Sequence, residues 1–284
     1  MTPWLLIVFA LAFVALPVLV YPGLLYLMSL LVRSPNRPRA HAVYEATLIV
    51  AFRHGGELLP MKVANFASQA RQAGGNTLNL VLASDGPISD GDHRAALEAA
   101  GDMPFTLCSL DAPAGKAHAL NLGAAHATGD ILVFSDLDAT LTSDALVNLL
   151  RWFAEPSVGA VCGRREIVRD YAKGVAAAGQ IAYTNLDSRI KLLENRLGAI
   201  TANDGKLYAL RRSLFQPIHP AGSDDLDNAL TVISQGYRVL FEPEAVARIP
   251  PPAWTLGHDL ARRRRVTLRS LTSLCARPAL LLTP

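Results

Sequence analysis

Three cysteines in 284 residues, Cys108, Cys162 and Cys275, leave too little to build a disulfide framework. They are odd in number and far apart, with no metal-ligand spacing between them. A small stapled scaffold and a zinc module are therefore excluded. Cys108 and Cys162 lie in apolar, strand-like runs and read as core residues. An excess of charge is lacking too: 27 Lys and Arg against 24 Asp and Glu leave a net +3. That is too modest for a dedicated nucleic-acid binder. There is no internal repeat and no low-complexity tract.

The longest absence is of charge altogether. No Asp, Glu, Lys or Arg occurs from Met1 to Val32, and "PWLLIVFALAFVALPVLVYPGLLYLMSLLV" is apolar almost throughout. Roughly 20 apolar residues in a helix cross a bilayer core of about 30 Å. This run is longer, so a transmembrane helical segment over 1–33 is expected to tilt, or to kink at Pro17 and Pro22. A cleaved signal peptide would want a basic start, which "MTPW" lacks. Arg33, Arg37 and Arg39 follow before the first acidic residue, Glu45. The positive-inside rule then puts this flank, and the body of the protein, on the cytoplasmic side of the inner (cytoplasmic) membrane. The alternative reading of the run is a buried core helix.

After a proline-bearing linker over 34–44, short apolar runs alternate with amphipathic ones. "ATLIVAF", "TLNLVLAS", "MPFTLCSL", "DILVFSD" and "VGAVCG" read as strands, with helices between them. This alternation predicts an α/β domain over 45–250, a mostly parallel sheet flanked by helices. Residues 170–196 read as one long helix, "GKLYALRR" as a strand, and "DDLDNALTVISQG" as a helix. Residues 251–284 form a basic amphipathic segment around "HDLARRRRVTLRSLTSLCA", expected near a membrane surface.

Sites in such sheets lie at the carboxyl ends of strands, where Asp85 and Asp136 both fall. "DILVFSDLDAT" ends a buried strand in two carboxylates one residue apart, Asp136 and Asp138. Like charges that close need a cation. Hard oxygen ligands suit Mg²⁺ or Mn²⁺, held through carboxylates and substrate phosphates. A solvated turn or a helix cap is the competing reading.

The surrounding residues carry a resemblance. "GKAHALNLGAAHATGDILVFSDLDA" (115–139) resembles the signature of family 2 glycosyltransferases. "LVLASDGPISDG" resembles that family's Asp-Gly loop, and "AITANDGKLYALRRSLF" its Gly-x-x-Tyr-x-hydrophobic-Arg-Arg segment. "SDDLDNALTVISQGYRVLFEPEA" resembles its acidic acceptor-side motif. The resemblance implies a GT-A catalytic domain, a nucleotide-sugar donor (more readily a UDP-sugar) and a divalent metal.

It also implies roles for single residues. Asp85 would contact the nucleoside base, Lys116 would stand near the nucleotide, and Asp136 would meet the ribose or the metal-bound diphosphate. Asp138 would ligate the metal. Asp225, with Asp224 beside it, would be the catalytic base of an inverting transfer. Each has a plainer alternative: an Asx turn for Asp85, a surface lysine for Lys116, a helix N-terminal cap for Asp225.

Two departures stand out. "VAFRHGGE" puts Arg53 and His54 where the family carries Asn and Glu. "RRRRV" (262–266) lacks the Gln and Trp of processive synthases, which argues against long-chain synthesis. Arg262 and Arg265 are assigned to the donor diphosphate, with anionic headgroups as the other fitting partner. The expected acceptor is a membrane lipid or lipid-linked saccharide. A sugar-phosphate nucleotidyltransferase and a non-catalytic scaffold are the rival readings.

Overall fold

The computed structural model describes residues 3–32, 42–168, 175–251 and 256–281. Eight strands form one sheet: β1 (Glu45–Phe52), β2 (Thr77–Ser84), β3 (Thr106–Ser109), β4 (Ile131–Phe134), β5 (Thr140–Leu141), β6 (Val158–Ile167), β7 (Tyr208–Arg211) and β8 (Arg238–Ile249). Their spatial order is β3-β2-β1-β4-β7-β6-β8-β5.

The first four strands are parallel, as the alternation predicts. Beyond them the sheet is mixed: β6 and β8 are parallel, so four of the seven pairings are parallel and three antiparallel. β7 runs antiparallel to both β4 and β6, and β5 antiparallel to β8. An irregular segment over 197–207 leads into β7 after a long helix, so the direction of β7 is set by tertiary packing and not by the strand's own four residues.

The pleat sends alternate residues of the buried strands to opposite faces. Leu48, Val50, Leu80, Leu82, Ile131 and Val133 join one core with Leu59, Val63 and Phe66. Ile49, Val81, Leu132 and Phe134 join the other with Leu120, Ala229 and Val232. Both faces are covered, so these strands read as continuous apolar runs. Helices α3 (Leu58–Arg71), α4 (Asp90–Ala100) and α6 (Ala145–Leu150) serve the first face. Helices α5 (Lys116–His126) and α8 (Asp224–Ser234) serve the second. Gly129, before β4, shows why glycine is needed in the Gly-Asp pair there: its φ is +84° and a Cβ would lie 2.5 Å from the Glu45 carbonyl oxygen.

At the N-terminus, α1 (Pro3–Ala15) leads into a five-residue π-helical turn at Leu16–Val20, then α2 (Tyr21–Ser29). Among the described residues no helix is by itself long and apolar enough to cross a membrane. The transmembrane helical segment expected over 1–33, with a bend foreseen at Pro17 or Pro22, is corrected to three consecutive helical pieces, none of them by itself a membrane span. Pro17 is the physical reason: it lacks an N–H and crowds the preceding turn, and the widened π turn absorbs the mismatch. One face of α2 packs on α7 (Val175–Arg196), burying Leu25 and Ser29. Trp4, Phe9, Phe13 and Leu19 remain exposed. Most of the expected 34–44 linker, and residues 170–174 of the long helix, lie outside the described residues. The basic segment is helical as α9 (Leu256–Cys275).

Candidate active site

The sheet order reverses at β1 and β4, and the site opens outside the carboxyl ends of these strands. β4 delivers Asp136 and Asp138 to this edge. β7, being antiparallel, delivers its beginning to the same edge. Phe134 pairs with Tyr208, and extending that register places Lys206 opposite Asp136. Tyr208 stacks on Phe134 with ring centroids 5.0 Å apart, and its hydroxyl accepts from Asn228 Nδ2 at 2.8 Å. That contact sets α8 against the strand pair, and α8 begins at Asp224 and Asp225.

Four aspartates and two lysines meet here. Lys206 Nζ reaches both oxygens of Asp138 at 2.7 and 2.9 Å and Asp136 Oδ2 at 2.9 Å. Lys116 Nζ bridges Asp136 Oδ1 at 2.8 Å and Asp224 Oδ2 at 2.6 Å. One ammonium therefore joins the strand-end pair to the acidic pair of α8. Burial opposes ionising Asp136, but Lys116 and Lys206 outweigh it and hold its carboxyl well below the usual range. Burial likewise opposes charge on Lys116 and Lys206, and their aspartate partners outweigh it, so both stay protonated.

Asp225 differs from its neighbour. Its Oδ1 accepts from Ser223 Oγ at 2.6 Å and from the Leu226 N–H at 2.8 Å. Burial first, and then the Asp224 charge, push its pKa up. Gly205 passes close by: a Cβ there would sit 3.7 Å from Asp225 Oδ2 and 3.8 Å from Lys116 Nζ. The expected cap role is partial. Ser223 holds the N-cap position, but its hydroxyl serves Asp225 and not a backbone N–H.

Asp85 is buried, and its Oδ1 accepts from the Ala114 and Gly115 N–H groups at 2.7 Å each. It ties the end of β2 to the start of α5 and so sets the position of Lys116. Gly55 and Gly56 of the first loop donate to Asp92 at 3.2 and 2.9 Å. Their N–H groups thus face a carboxylate, which removes the phosphate cradle that a nucleotidyltransferase would need. Arg53 and His54 are exposed. Arg262 is half-buried and Arg265 exposed on α9. Arg265 makes no ion pair with the four aspartates among the described residues. The far end of α9 and the residues just after it dock on the start of α8: Ser273 Oγ accepts from the N-cap Ser223 N–H at 3.1 Å, and Arg277, two residues beyond α9, donates to Asp227 at 2.5 Å.

Sequence reading missed a polar stripe on α3. Lys62 Nζ donates to Ser135 Oγ at 2.7 Å and to the Ala139 carbonyl at 2.6 Å. Asn65 exchanges hydrogen bonds with both backbone groups of Leu141, at 2.9 and 2.8 Å, and Gln69 donates to the Thr142 carbonyl at 2.7 Å. These side chains act as a neighbouring strand for residues 139–142, which follow the two aspartates. The signal was available: Lys62 falls on the apolar face with Leu59, Val63 and Phe66, where a solvated lysine has no place. Lys206 was missed as a site residue because it was taken into a strand that starts only at Tyr208.

Burial lowers the Lys62 pKa to about 7, against the pull of Asp136 and Asp138. Between that value and the unfolded lysine pKa of about 10.4 the unfolded chain binds the extra proton. Stability therefore rises with pH across this window and carries the full burial cost below it. Denaturant titrations from pH 6 to about 10 should show wild type gaining relative to Lys62→Met. A constant difference would show that Lys62 does not lose its proton in the folded protein.

The donor set suits a hard cation. Among the described residues no three His, Cys, Asp or Glu side chains form a ready cage. Two strand-end carboxylates, one with its side chain 38% exposed, match the way Mg²⁺ and Mn²⁺ bind through one or two carboxylates plus substrate phosphates.

The structure thus presents a doubly covered α/β sheet with an acidic, lysine-bridged rim at its reversal point. The "Glycosyl transferase family 2" model matches residues 48–218, more than half of the chain, which belongs to that family. The chain is 32% identical over 127 residues to the O-antigen chain rhamnosyltransferase RfbN of Salmonella typhimurium, covering 42% of this chain and 40% of that protein. It is 26% identical over 183 residues to the poly-beta-1,6-N-acetyl-D-glucosamine synthase of Staphylococcus aureus, covering 63% of this chain and 44% of that protein. It thus spans less than half the length of these curated relatives. The mannosyltransferase PcManGT of Pyrobaculum calidifontis, solved with GDP-Man and Mn²⁺, superposes with a TM-score of 0.72 at 26% identity, covering 89% of this chain and 71% of that one.

Proposed function

We propose that this chain is a membrane-associated, metal-dependent, inverting glycosyltransferase that moves a sugar from a nucleotide sugar to a membrane lipid or lipid-linked saccharide. The observation that carries the reading is Lys116, whose ammonium spans Asp136 and Asp224. It puts a donor-side carboxylate and a base-side carboxylate one side chain apart, the layout that a single displacement requires. Asp136 and Asp138 would hold Mg²⁺ or Mn²⁺, which as a Lewis acid stabilises the charge gathering on the departing diphosphate. Lys116 and Lys206 add fixed positive charge beside that diphosphate. Asp225 takes the proton of the acceptor hydroxyl as the new bond forms. Asp85 orients the loop that carries Lys116, and its other oxygen is assigned to the nucleoside base.

Rhamnose, N-acetylglucosamine and mannose all occur in the names of the similar proteins, so the donor sugar is left to experiment. A UDP-sugar remains the first candidate and a GDP-sugar the second. The membrane assignment is supported by the exposed apolar side chains of α1 and by α9. The helical pieces follow one another from Pro3 to Ser29 without a break. At about 1.5 Å per residue such a succession is long enough to enter a bilayer. On α9, Arg263, Arg264 and Arg265 accompany exposed Leu260, Val266 and Leu268. The site would face the cytoplasm.

The test is a panel of UDP- and GDP-sugars offered to the full chain in detergent or vesicles, with and without Mn²⁺. Metal-dependent release of nucleoside diphosphate is expected. Pyrophosphate release would identify a nucleotidyltransferase, and the absence of any metal-dependent nucleotide affinity would identify a scaffold.

A further inference from the structure

All four oxygens of Asp136 and Asp138 are already held by ammonium groups. Lys206 takes three of them and Lys116 the fourth. Lys206 is not a loose surface chain that happens to fall there. Its side chain is 16% exposed. Its carbonyl accepts from Ser135 Oγ at 2.8 Å, and its N–H donates to Asp204 Oδ1 at 3.1 Å. The β4–β7 register aims it across at Asp136.

A divalent cation that comes to these carboxylates meets this fixed positive charge and must displace it. Like charges so close, in a half-buried site, repel strongly. A nucleoside diphosphate changes the balance, because its phosphates give the ammonium a new anionic partner.

We propose that Lys206 is a built-in counter-ion that keeps divalent cations off Asp136 and Asp138 until a nucleoside diphosphate arrives, so that cation and donor enter the site together. The inference rests on the proposed reading of these aspartates as cation ligands. Lys206 is then a positioning residue that makes the site selective for the metal-loaded donor over the bare metal.

The test reads Mn²⁺ binding to the full chain from the loss of the free-ion EPR signal, without nucleotide. Lys206→Met should bind Mn²⁺ about tenfold tighter than wild type or more, because a repelling charge is gone. Lys206→Arg should stay near wild type, and Asp138→Asn added to Lys206→Met should abolish the gain. In a second arm UDP or GDP should tighten Mn²⁺ binding far more in wild type than in Lys206→Met, once the affinity of the free nucleotide for Mn²⁺ is subtracted. Lys206→Gln replaces the Met variant if thermal melting shows that one unfolded. No gain in either variant overturns the role of Lys206, while an effect of Asp138→Asn on nucleotide-loaded Mn²⁺ binding in wild type would keep the cation site. A gain that survives Asp138→Asn places the cation elsewhere and overturns the cation-site reading itself.

Discussion

Asp138→Asn should lower sugar transfer by about a thousandfold while leaving the fold intact. Asparagine keeps the shape of the side chain and removes its charge. The wild-type carboxylate accepts from Lys206 through both oxygens, yet more than a third of its side chain is exposed. Exposed pairs contribute about 0–1 kcal/mol to stability, so the melting temperature should move little. The loss falls on the transition state. A cation that stabilises the departing diphosphate contributes several kcal/mol there, and about 4 kcal/mol corresponds to a thousandfold in rate. Steady-state transfer rates and Mn²⁺-dependent nucleotide affinity should fall together. An Asp138→Asn enzyme of near wild-type rate would mean that this carboxylate holds no cation. Asp136→Asn is the less clean probe. Asp136 joins both lysines, so its loss disturbs the whole cluster.

How much of this was legible in the sequence depends on which kind of contact specifies each part. The first half of the sheet was readable because β1, β2 and β4 are buried on both faces and so announce themselves as apolar runs. The position of Asp136 and Asp138 at the sheet's rim was readable because they follow directly on the buried run of β4. β5 was not readable: two residues carry no period, and that segment is held by side chains of α3 and by β8. The direction of β7 was not readable either, because Tyr208–Arg211 suits either orientation. That one direction decides the chemistry of the rim. Run parallel, β7 would bring Arg211 to the site. Run antiparallel, it brings Lys206. The kinked N-terminus sits between these cases: Pro17 and Pro22 flagged a bend, but the division into three helical pieces needed the backbone itself.

The same distinction explains which lysines sequence reading valued. Lys116 stood inside a recognisable motif. Lys62 and Lys206 act through pairings across the fold, one from a helix face and one from a strand's antecedent turn. Lys206, with Lys116, shows that the acidic rim is built with its counter-charges in place. A metal-loaded donor at this rim would exchange partners with the cluster, its phosphates taking the ammonium groups and its cation the carboxylates.

Asp225→Asn should reduce kcat by about 10²–10⁴-fold and leave donor binding unchanged. The choice between the two neighbouring aspartates follows from their partners. Asp224 is committed to Lys116 at 2.6 Å, so its carboxylate is already engaged by a cation. Asp225 has no cation partner among the described residues. Burial and the charge of Asp224 raise its pKa, which makes it the better proton acceptor. Asparagine preserves the acceptor for Ser223 and the start of α8 while removing the capacity to take a proton. The wild-type rate should therefore fall as pH drops through the Asp225 pKa, above the ordinary aspartate value of about 3.9, because the protonated acid is no base. The Asn variant should keep a small residual rate without that acid limb. Nucleotide-sugar affinity measured by calorimetry with Mn²⁺ should match wild type, since the proposed donor contacts are made by Asp136, Asp138 and the two lysines and not by Asp225. Normal transfer by Asp225→Asn would move the base to Asp224, and Asp224→Asn would then show the loss of the acid limb in its place.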